Sequence, residues 1–145
     1  MRMKMSPHIS LITLGVADIA KATAFYERLG FVKSSASQEA VSFFKAGPVV
    51  LGLFGRDALH EDAQAGPLWT GNGGIAVAMN YGSEAEVDAM LQKAEAAGAR
   101  ILKPAAKVFW GGYSGYFADA DGHVWEVAHN PFWPLQENGG IDLPE

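Results

Sequence analysis

The sequence predicts an α+β protein of two consecutive βαβββ modules, an internal duplication whose curved mixed sheets surround a cavity. Three observations predict this fold. The order strand, helix, three strands occurs twice, each helix begins at a capping residue and ends at a glycine, and the two copies keep nearly constant spacing. We therefore expect a single domain with modules at 8–55 and 73–130, a linker at 56–72 and a C-terminal tail at 131–145.

The first module opens with a strand and a capped helix. Residues 9–16 alternate in hydrophobicity as a half-buried strand does. Asp18 occupies the position of a helix N-cap, apolar residues follow at helical spacing, and Gly30 is a typical residue to end the helix. Three short strands are then predicted, at residues 31–34, 40–45 and 49–54.

The second module repeats this order after a linker that has no clear periodicity. A strand predicted at residues 74–79 is followed by Ser83 and Glu86, which are spaced as a capping box, and Gly98 ends the helix. The remaining strands are predicted at residues 100–102, 108–110, 113–118 and 123–128.

Composition and charge exclude several classes of function. The chain has 145 residues, of which 49% are hydrophobic and 19% are charged, as in an ordinary globular domain. A net charge of -5 without a run of Lys or Arg argues against nucleic acid or an anionic membrane as the partner. No cysteine is present, which excludes disulfides, thiolate metal sites and a cysteine nucleophile. Because no apolar segment suits a signal peptide or a membrane span, we expect a cytoplasmic protein.

Two stretches of the sequence resemble one known superfamily. LGVADIAKATAFYERLGF, at residues 14–31, resembles the opening module of glyoxalase and bleomycin-resistance proteins. FADADGHVWEV, at residues 117–127, resembles the end of their second module. The similarity to this vicinal-oxygen-chelate (VOC) superfamily, which also includes the extradiol dioxygenases, extends over residues 9–130. It implies a glyoxalase-like fold with a ligand cavity and, by analogy with other members, a homodimer.

The resemblance also implies four metal-ligand positions, one on the first and one on the last strand of each module. In this sequence they are Leu11, Gly52, Gly74 and Glu126. Only Glu126 has a side chain that binds a hard or borderline cation, whereas a catalytic metal wants three or more protein ligands. We therefore expect no metal and no other cofactor, unless His60 in the linker or a shift in strand register supplies the missing ligands.

Residues on the predicted cavity face are the candidates for ligand binding. Alternation along the last strand places Glu126 on this face and turns Trp125 and Val127 towards the helix layer. Glu126 could be a simple edge carboxylate, a hydrogen-bond acceptor or a catalytic general base. Gly52 and Gly74 mark either strand bulges or positions where a missing side chain enlarges the cavity. The candidate ligand-binding residues are Leu11, Thr13, Gly52, Phe54, Gly74, Ala76, Trp110, Tyr113, Tyr116 and Glu126.

The aromatic, glycine-rich stretch at residues 108–117 is expected to add one large side chain to the cavity. Tyrosine and tryptophan give flat contact area with a polar group, as small-molecule sites use. Alternation alone does not choose between Trp110, Tyr113 and Tyr116, because the two glycines that follow Trp110 can break the register.

Three functions remain open at this stage. The sequence favours a metal-independent binder of a planar or hydrophobic small molecule, of the kind that bleomycin-resistance proteins exemplify. The alternative is a metal-free enzyme that uses Glu126 as a base for proton abstraction or isomerisation. The third is a divalent-metal-dependent lyase or dioxygenase whose ligands lie elsewhere. In each case the two sheet faces close on one another or on a second subunit, and we expect a homodimer.

Overall fold

The computed structural model describes residues 8–66 and 74–143, which form seven strands and three helices. None of these helices is long and apolar enough to cross a membrane. The strands are β1 (Leu11–Val16), β2 (Val41–Ala46), β3 (Val49–Gly55), β4 (Ala76–Asn80), β5 (Arg100–Lys107), β6 (Tyr113–Ala118) and β7 (Val124–His129). The helices are α1 (Ile19–Leu29), α2 (Arg56–Ala63) and α3 (Glu84–Ala97).

The strands form two mixed sheets, one for each module. Sheet A has the order β1-β3-β2, with β1 parallel and β2 antiparallel to β3. Sheet B has the order β4-β7-β6-β5, with β4 parallel to β7 and the other pairs antiparallel. In both sheets the first strand of the module therefore lies beside the last one. A helix, α1 or α3, follows the first strand in each module. The predicted α+β class is confirmed.

The helix ends form as the sequence predicts. The side chains of Asp18 and Ser83 each accept a hydrogen bond from a backbone N–H in the first turn, at 3.0 and 3.2 Å. Gly30 and Gly98 end α1 and α3 at φ of 115° and 114°, a left-handed conformation that other residues rarely adopt.

One predicted strand of the first module is reduced to a single isolated bridge. Residues 31–34 precede a turn in which serine side chains accept hydrogen bonds from backbone N–H groups. Ser34 Oγ accepts from the N–H of Ala36, and Ser37 Oγ accepts from the N–H of Phe43 at 2.9 Å. Such local bonds compete with a strand ladder, so sheet A has three strands rather than four.

The linker at 56–72 is not irregular throughout, because it begins with α2. The residues of this helix are all at least partly exposed, so they form no apolar stripe from which periodicity could reveal it. Residues 67–73, the second part of the linker, lie outside the described residues.

The two short strands predicted at residues 100–102 and 108–110 also differ from the structure. β5 runs continuously through the first of these segments, with two register shifts against β6. The second segment belongs to a turn that the Val108 N–H closes on the Gly112 carbonyl. Pro104 lies within β5, which is tolerated because β5 is the edge strand. The bulges break the alternation on which the sequence-based assignment relied.

A single hydrophobic core joins the two modules. It contains the inner faces of both sheets together with the apolar sides of α1 and α3. Trp125 of β7 is buried, and its ring centroid lies 5.9 Å from that of Tyr26 on α1 and 6.1 Å from that of Phe31. Val127 is also buried here. Trp125 and Val127 therefore face the helices, as alternation along β7 predicts.

A buried hydrogen-bond network crosses the same module boundary. The Tyr26 hydroxyl donates to Asp119 Oδ2 at 2.7 Å and accepts from Trp125 Nε1 at 3.1 Å. Asp119 also pairs with His123 Nδ1 at 2.8 Å and accepts the backbone N–H groups of Asp121 and His123. The network thus ties α1 of the first module to the turn between β6 and β7.

Burial and the network shift two pKa values. Burial raises the pKa of Tyr26 far above its usual range, and the charge of Asp119 raises it further. Burial alone would raise the pKa of Asp119, but the hydrogen bonds from His123 and Tyr26 outweigh it and lower the pKa below 3.8. The network therefore holds a neutral phenol against an ionised carboxylate.

We expect Tyr26→Phe to destabilise the fold. The change removes a donor to Asp119 and the acceptor of Trp125 Nε1, so two buried polar groups each lose a partner. The expected loss in the free energy of unfolding is about 2 kcal/mol, measured by urea denaturation. Tyr113→Phe is the matched control, because its hydroxyl makes an exposed bond to Asp88. Equal effects of the two changes would contradict an important role for the buried network.

We expect Asp119 to contribute to the acid dependence of stability. Its pKa is lower in the folded protein than in the unfolded chain, so its stabilisation is present above pH 3.8 and is lost as the pH falls through the folded value. In urea titrations at decreasing pH, Asp119→Asn should be less stable at neutral pH and lose less stability on acidification. Asp57→Asn, at an exposed position on α2, should retain the wild-type profile.

Candidate ligand site

Each sheet has an inner face, which packs on α1 and α3 in the core, and an outer face on its other side. On sheet A, the register places Thr13, Gly52 and Phe43 in one row of the outer face, with Leu11 and Phe54 also on that face. A Cβ atom on Gly52 would lie 3.4 Å from atoms of Leu11, Thr13 and Phe43. Three neighbouring side chains therefore surround this glycine at the distance of ordinary van der Waals contact. The result is a largely apolar surface, which we call the platform, rather than a hole.

Phe43 is a member of the platform that the sequence-based reasoning missed. It follows Ser42 and precedes Phe44, and both of these neighbours are buried on the inner face. Two adjacent phenylalanines gave no means of choosing which one faces outwards. Only the pairing of Phe43 with Gly52 settles its position. Alternation from buried Ser42 could have provided a signal, but the burial of a serine was not foreseen.

The outer face of sheet B presents a line of polar side chains across its strands. The register aligns Ala78 with Glu126, Glu126 with Tyr116, and Tyr116 with Lys103. Glu126 and Tyr116 are half-buried, whereas Ala78 and Lys103 are exposed. We call Glu126, Tyr116 and Lys103 the polar row. It brings an acid, a phenol and an amine into register on three adjacent strands.

Tyr116 and Glu126 lie directly opposite one another on adjacent strands of the polar row. Burial raises the pKa of Tyr116, and the neighbouring Glu126 carboxylate raises it further. Tyr116 is therefore a neutral phenol at physiological pH. Its hydroxyl is a donor beside a carboxylate whose oxygens can accept from a ligand.

Three residues predicted to bind a ligand lie away from the outer faces or before a strand. Tyr113 lies on the inner face of β6, and its hydroxyl donates to Asp88 of α3 at 2.7 Å. Trp110 lies in the turn before β6, with its ring over Gly112. Gly74 precedes β4 and has a φ of 81°. Of the three aromatic candidates, only Tyr116 is aligned with Glu126. Because β6 begins at Tyr113, after the turn, alternation along this strand places Tyr113 on the inner face and Tyr116 on the outer face.

Both outer faces carry exposed side chains among residues 8–66 and 74–143. Leu11 of sheet A is 46% exposed, and Ala76 and Ala78 of sheet B are exposed. α2 covers one end of the outer face of sheet A, where a Cβ atom on Gly15 would lie 3.2 Å from Arg56 Cα. The inner faces of both sheets meet the same core, so the outer faces do not cover one another.

The four positions at which the resemblance implies metal ligands do not fit a metal ion. Leu11 has no lone pair, Gly52 lies beneath its neighbours, and Gly74 lies before the strand. Of the four positions, Glu126 alone offers carboxylate oxygens as ligands. Divalent cations at catalytic sites need several such side chains, and these four positions supply one.

A shift in register does not supply the missing ligands. Moving two residues along the strands brings in Thr13, Phe54 and Ala76, none of which is a strong metal ligand. His60 lies on α2, which contacts sheet A, and its Nε2 lies 3.1 Å from the Gly66 carbonyl. His129 Nδ1 lies 2.9 Å from the Tyr81 carbonyl, on the inner side of β7.

Another group of potential ligands lies at the turn between β6 and β7. Within the described residues, Asp119, Asp121 and His123 place one ligand atom each within 4.8 Å of the others. Asp119 already accepts from Tyr26, His123 and two backbone N–H groups, and Asp121 accepts from the Ala17 N–H at 2.8 Å. These bonds give the cluster a structural role at the module boundary.

Comparison with known proteins agrees with this architecture. The family model for the Glyoxalase/Bleomycin resistance protein/Dioxygenase superfamily matches residues 8–127. The chain belongs to this superfamily. Curated proteins give no match by sequence.

Solved structures of the superfamily extend the similarity to nearly the whole chain. A glyoxalase-related enzyme from Fulvimarina pelagi is 32% identical, with a TM-score of 0.86, and the match covers 95% of this chain and 99% of that one. A lactoylglutathione lyase from Agrobacterium tumefaciens is 25% identical, with a TM-score of 0.66 and coverage of 91% and 100%. A superfamily enzyme from Burkholderia phytofirmans PsJN, at 21% identity, a TM-score of 0.74 and coverage of 83% and 96%, shows the fold alone.

We expect this superfamily member to be purified without a stoichiometric metal ion. Elemental analysis should find no equivalent of Fe, Zn, Ni, Mn or Mg, because Glu126 is the only one of the four family positions with a ligand side chain. Adding Zn²⁺ or Mn²⁺ should leave the melting temperature unchanged, because a bound ion would raise it. One equivalent of any of these metals, lost on Glu126→Gln, would contradict the expectation.

Proposed function

We propose that the protein is a metal-independent binder of a planar or hydrophobic small molecule. The observation that carries this proposal is the register of sheet B, which sets Glu126 between Tyr116 and Ala78, neither of which is a carboxylate or an imidazole. The same face offers one acceptor and one phenol. Small-molecule sites commonly combine a mostly apolar lining with a few such polar groups.

The platform supplies the apolar part of the proposed site. Phe43, Phe54 and Leu11 lie on one face around Gly52, which has no side chain to stand above them. Flat aromatic surface of this kind favours planar ligands, because it gives contact area at little cost in side-chain freedom. We infer that the platform and the polar row contact opposite sides of the ligand.

A homodimer would bring these two surfaces together. Within one chain they cannot meet, so we infer that the platform of one copy covers the polar row of the other. Exposed apolar side chains on or beside the outer faces support this arrangement, including Leu11 at 46% exposure and Ile75 at 72%. Contiguous apolar surface of this sort is typical of an interaction site.

Size-exclusion chromatography with light scattering tests the assembly. We expect a dimer at micromolar concentration, and Leu11→Glu should shift it towards monomer because it places a charge on the platform. Ala96→Glu is the control, since Ala96 is an exposed apolar residue of α3, which packs on the inner face of sheet B. A wild-type monomer would contradict the proposed dimer.

An enzymatic function is favoured by one specific observation. Tyr116 is a neutral donor opposite the Glu126 carboxylate on the adjacent strand, which is an arrangement of acid and base. Such a pair could move a proton on a bound substrate without a metal. Mass spectrometry of a bound compound after incubation separates the two functions, since a binder returns it unchanged and an enzyme does not.

Glu126→Gln tests the proposed site directly. With 2-naphthol as a planar probe, fluorescence titration should show affinity about tenfold weaker in this variant, because a hydrogen bond to a charged acceptor is replaced by a neutral one. Asp88→Asn, on the opposite side of sheet B, should bind as the wild type does. Unchanged affinity in Glu126→Gln would remove Glu126 from the site.

A further inference from the structure

We propose that Lys103 is a ligand-binding residue of the same site, and that the ligand is a planar compound with a hydrogen-bond donor at one end and a carboxylate at the other. This inference rests on the proposed function and deepens it by naming the class of ligand. The position of Lys103 in the polar row supports this inference. Simple alternation along β5 does not predict that position.

Two register shifts in β5 place Lys103 on the outer face. Ile101 pairs with Phe117 and packs against the core, and strict alternation would turn Lys103 to the same inner side. A shift between Ile101 and Lys103 instead aligns Lys103 with Tyr116, and a second shift follows before Ala106. The lysine at this position therefore belongs to the face of Glu126.

Gly115 makes this bulged path of β5 possible. A Cβ atom at Gly115 would lie 2.8 Å from the Lys103 carbonyl oxygen and 2.9 Å from the Ala105 nitrogen, both of which are backbone atoms. Any larger residue would force the two strands apart. The close approach of β5 over this glycine is thus coupled to the outward position of Lys103.

The two lysines of β5 have different electrostatic surroundings. Lys107 lies on the inner side, aligned with Tyr113, and its Nζ lies 3.6 Å from Glu84 of α3. Lys103 is exposed, and the ion pairs found across residues 8–66 and 74–143 do not include it. One ammonium group is therefore partly neutralised within the fold, and the other is available to an anion on the ligand.

The spacing of the polar row sets the size of the ligand. Adjacent strands lie about 4.8 Å apart, so Lys103 and Glu126 are separated by about 10 Å with Tyr116 between them. A ligand of two fused rings, with a hydroxyl at one end and a carboxylate at the other, spans this width. Its hydroxyl would donate to Glu126, its rings would lie over Tyr116, and its carboxylate would pair with Lys103.

Three matched naphthalene compounds test the proposal by isothermal titration calorimetry. 6-Hydroxy-2-naphthoate carries both groups, 2-naphthol carries the donor alone, and 2-naphthoate carries the acid alone. We expect the first to bind most tightly. Lys103→Gln should weaken its binding about threefold and leave 2-naphthol unaffected, and Lys103→Arg should restore it. Lys107→Gln, on the same strand but the other face, is the matched control and should change neither.

The outcomes separate this inference from the proposed function. If 2-naphthol binds and the added carboxylate brings no gain, or if Lys103→Gln affects both compounds equally, the inference about Lys103 is wrong and the planar-ligand site remains. If 2-naphthoate binds as tightly as 6-hydroxy-2-naphthoate, the predicted hydrogen bond from the ligand hydroxyl to Glu126 is wrong. If none of the three compounds binds, both the inference and the proposed function are overturned. Added salt should reduce the advantage of the carboxylate.

Discussion

The hydrogen bond between Tyr26 and Asp119 is the contact on which the arrangement of the two modules depends. It joins a buried side chain of α1 to the turn that precedes β7, at a distance of 2.7 Å. A buried phenol without a partner would cost free energy, so the bond favours one relative position of the modules. The surrounding aromatic packing of Tyr26 on Trp125 reinforces the same position.

The same aspartate also determines how the last hairpin is built. Asp119 accepts the backbone N–H groups of Asp121 and His123, which shapes the turn between β6 and β7. This turn sets the pairing of the two strands, and that pairing aligns Glu126 with Tyr116. The geometry of the candidate site, on the outer face, therefore depends on a carboxylate that is itself buried at the module boundary. Asp119 therefore contributes both to the stability of the fold and to the geometry of the candidate site.

Much of this fold could be predicted because its signals are local. A capping side chain and a terminal glycine lie within a few residues of the helix ends that they define, and alternation along β7 correctly turned Glu126 outwards. The choice between Tyr113 and Tyr116 was not available locally, since it depends on where β6 begins. Phe43 and Lys103 were missed for related reasons. Their positions follow from pairing with Gly52 and from bulges in β5, which are properties of two strands rather than one.

Without metal-binding side chains at the other three positions, the negative charge of Glu126 has to be compensated in another way. A half-buried carboxylate needs a compensating charge or donors, and a bound cation would supply the first. Here Tyr116 lies opposite Glu126 on the next strand, and Lys103 lies one strand further along the same row. The compensation is thus spread over about 10 Å of surface instead of being concentrated in one ion. A surface of this kind would complement a molecule whose own polar groups are equally far apart, and this match is what supports the proposed extended planar ligand over a chelated one.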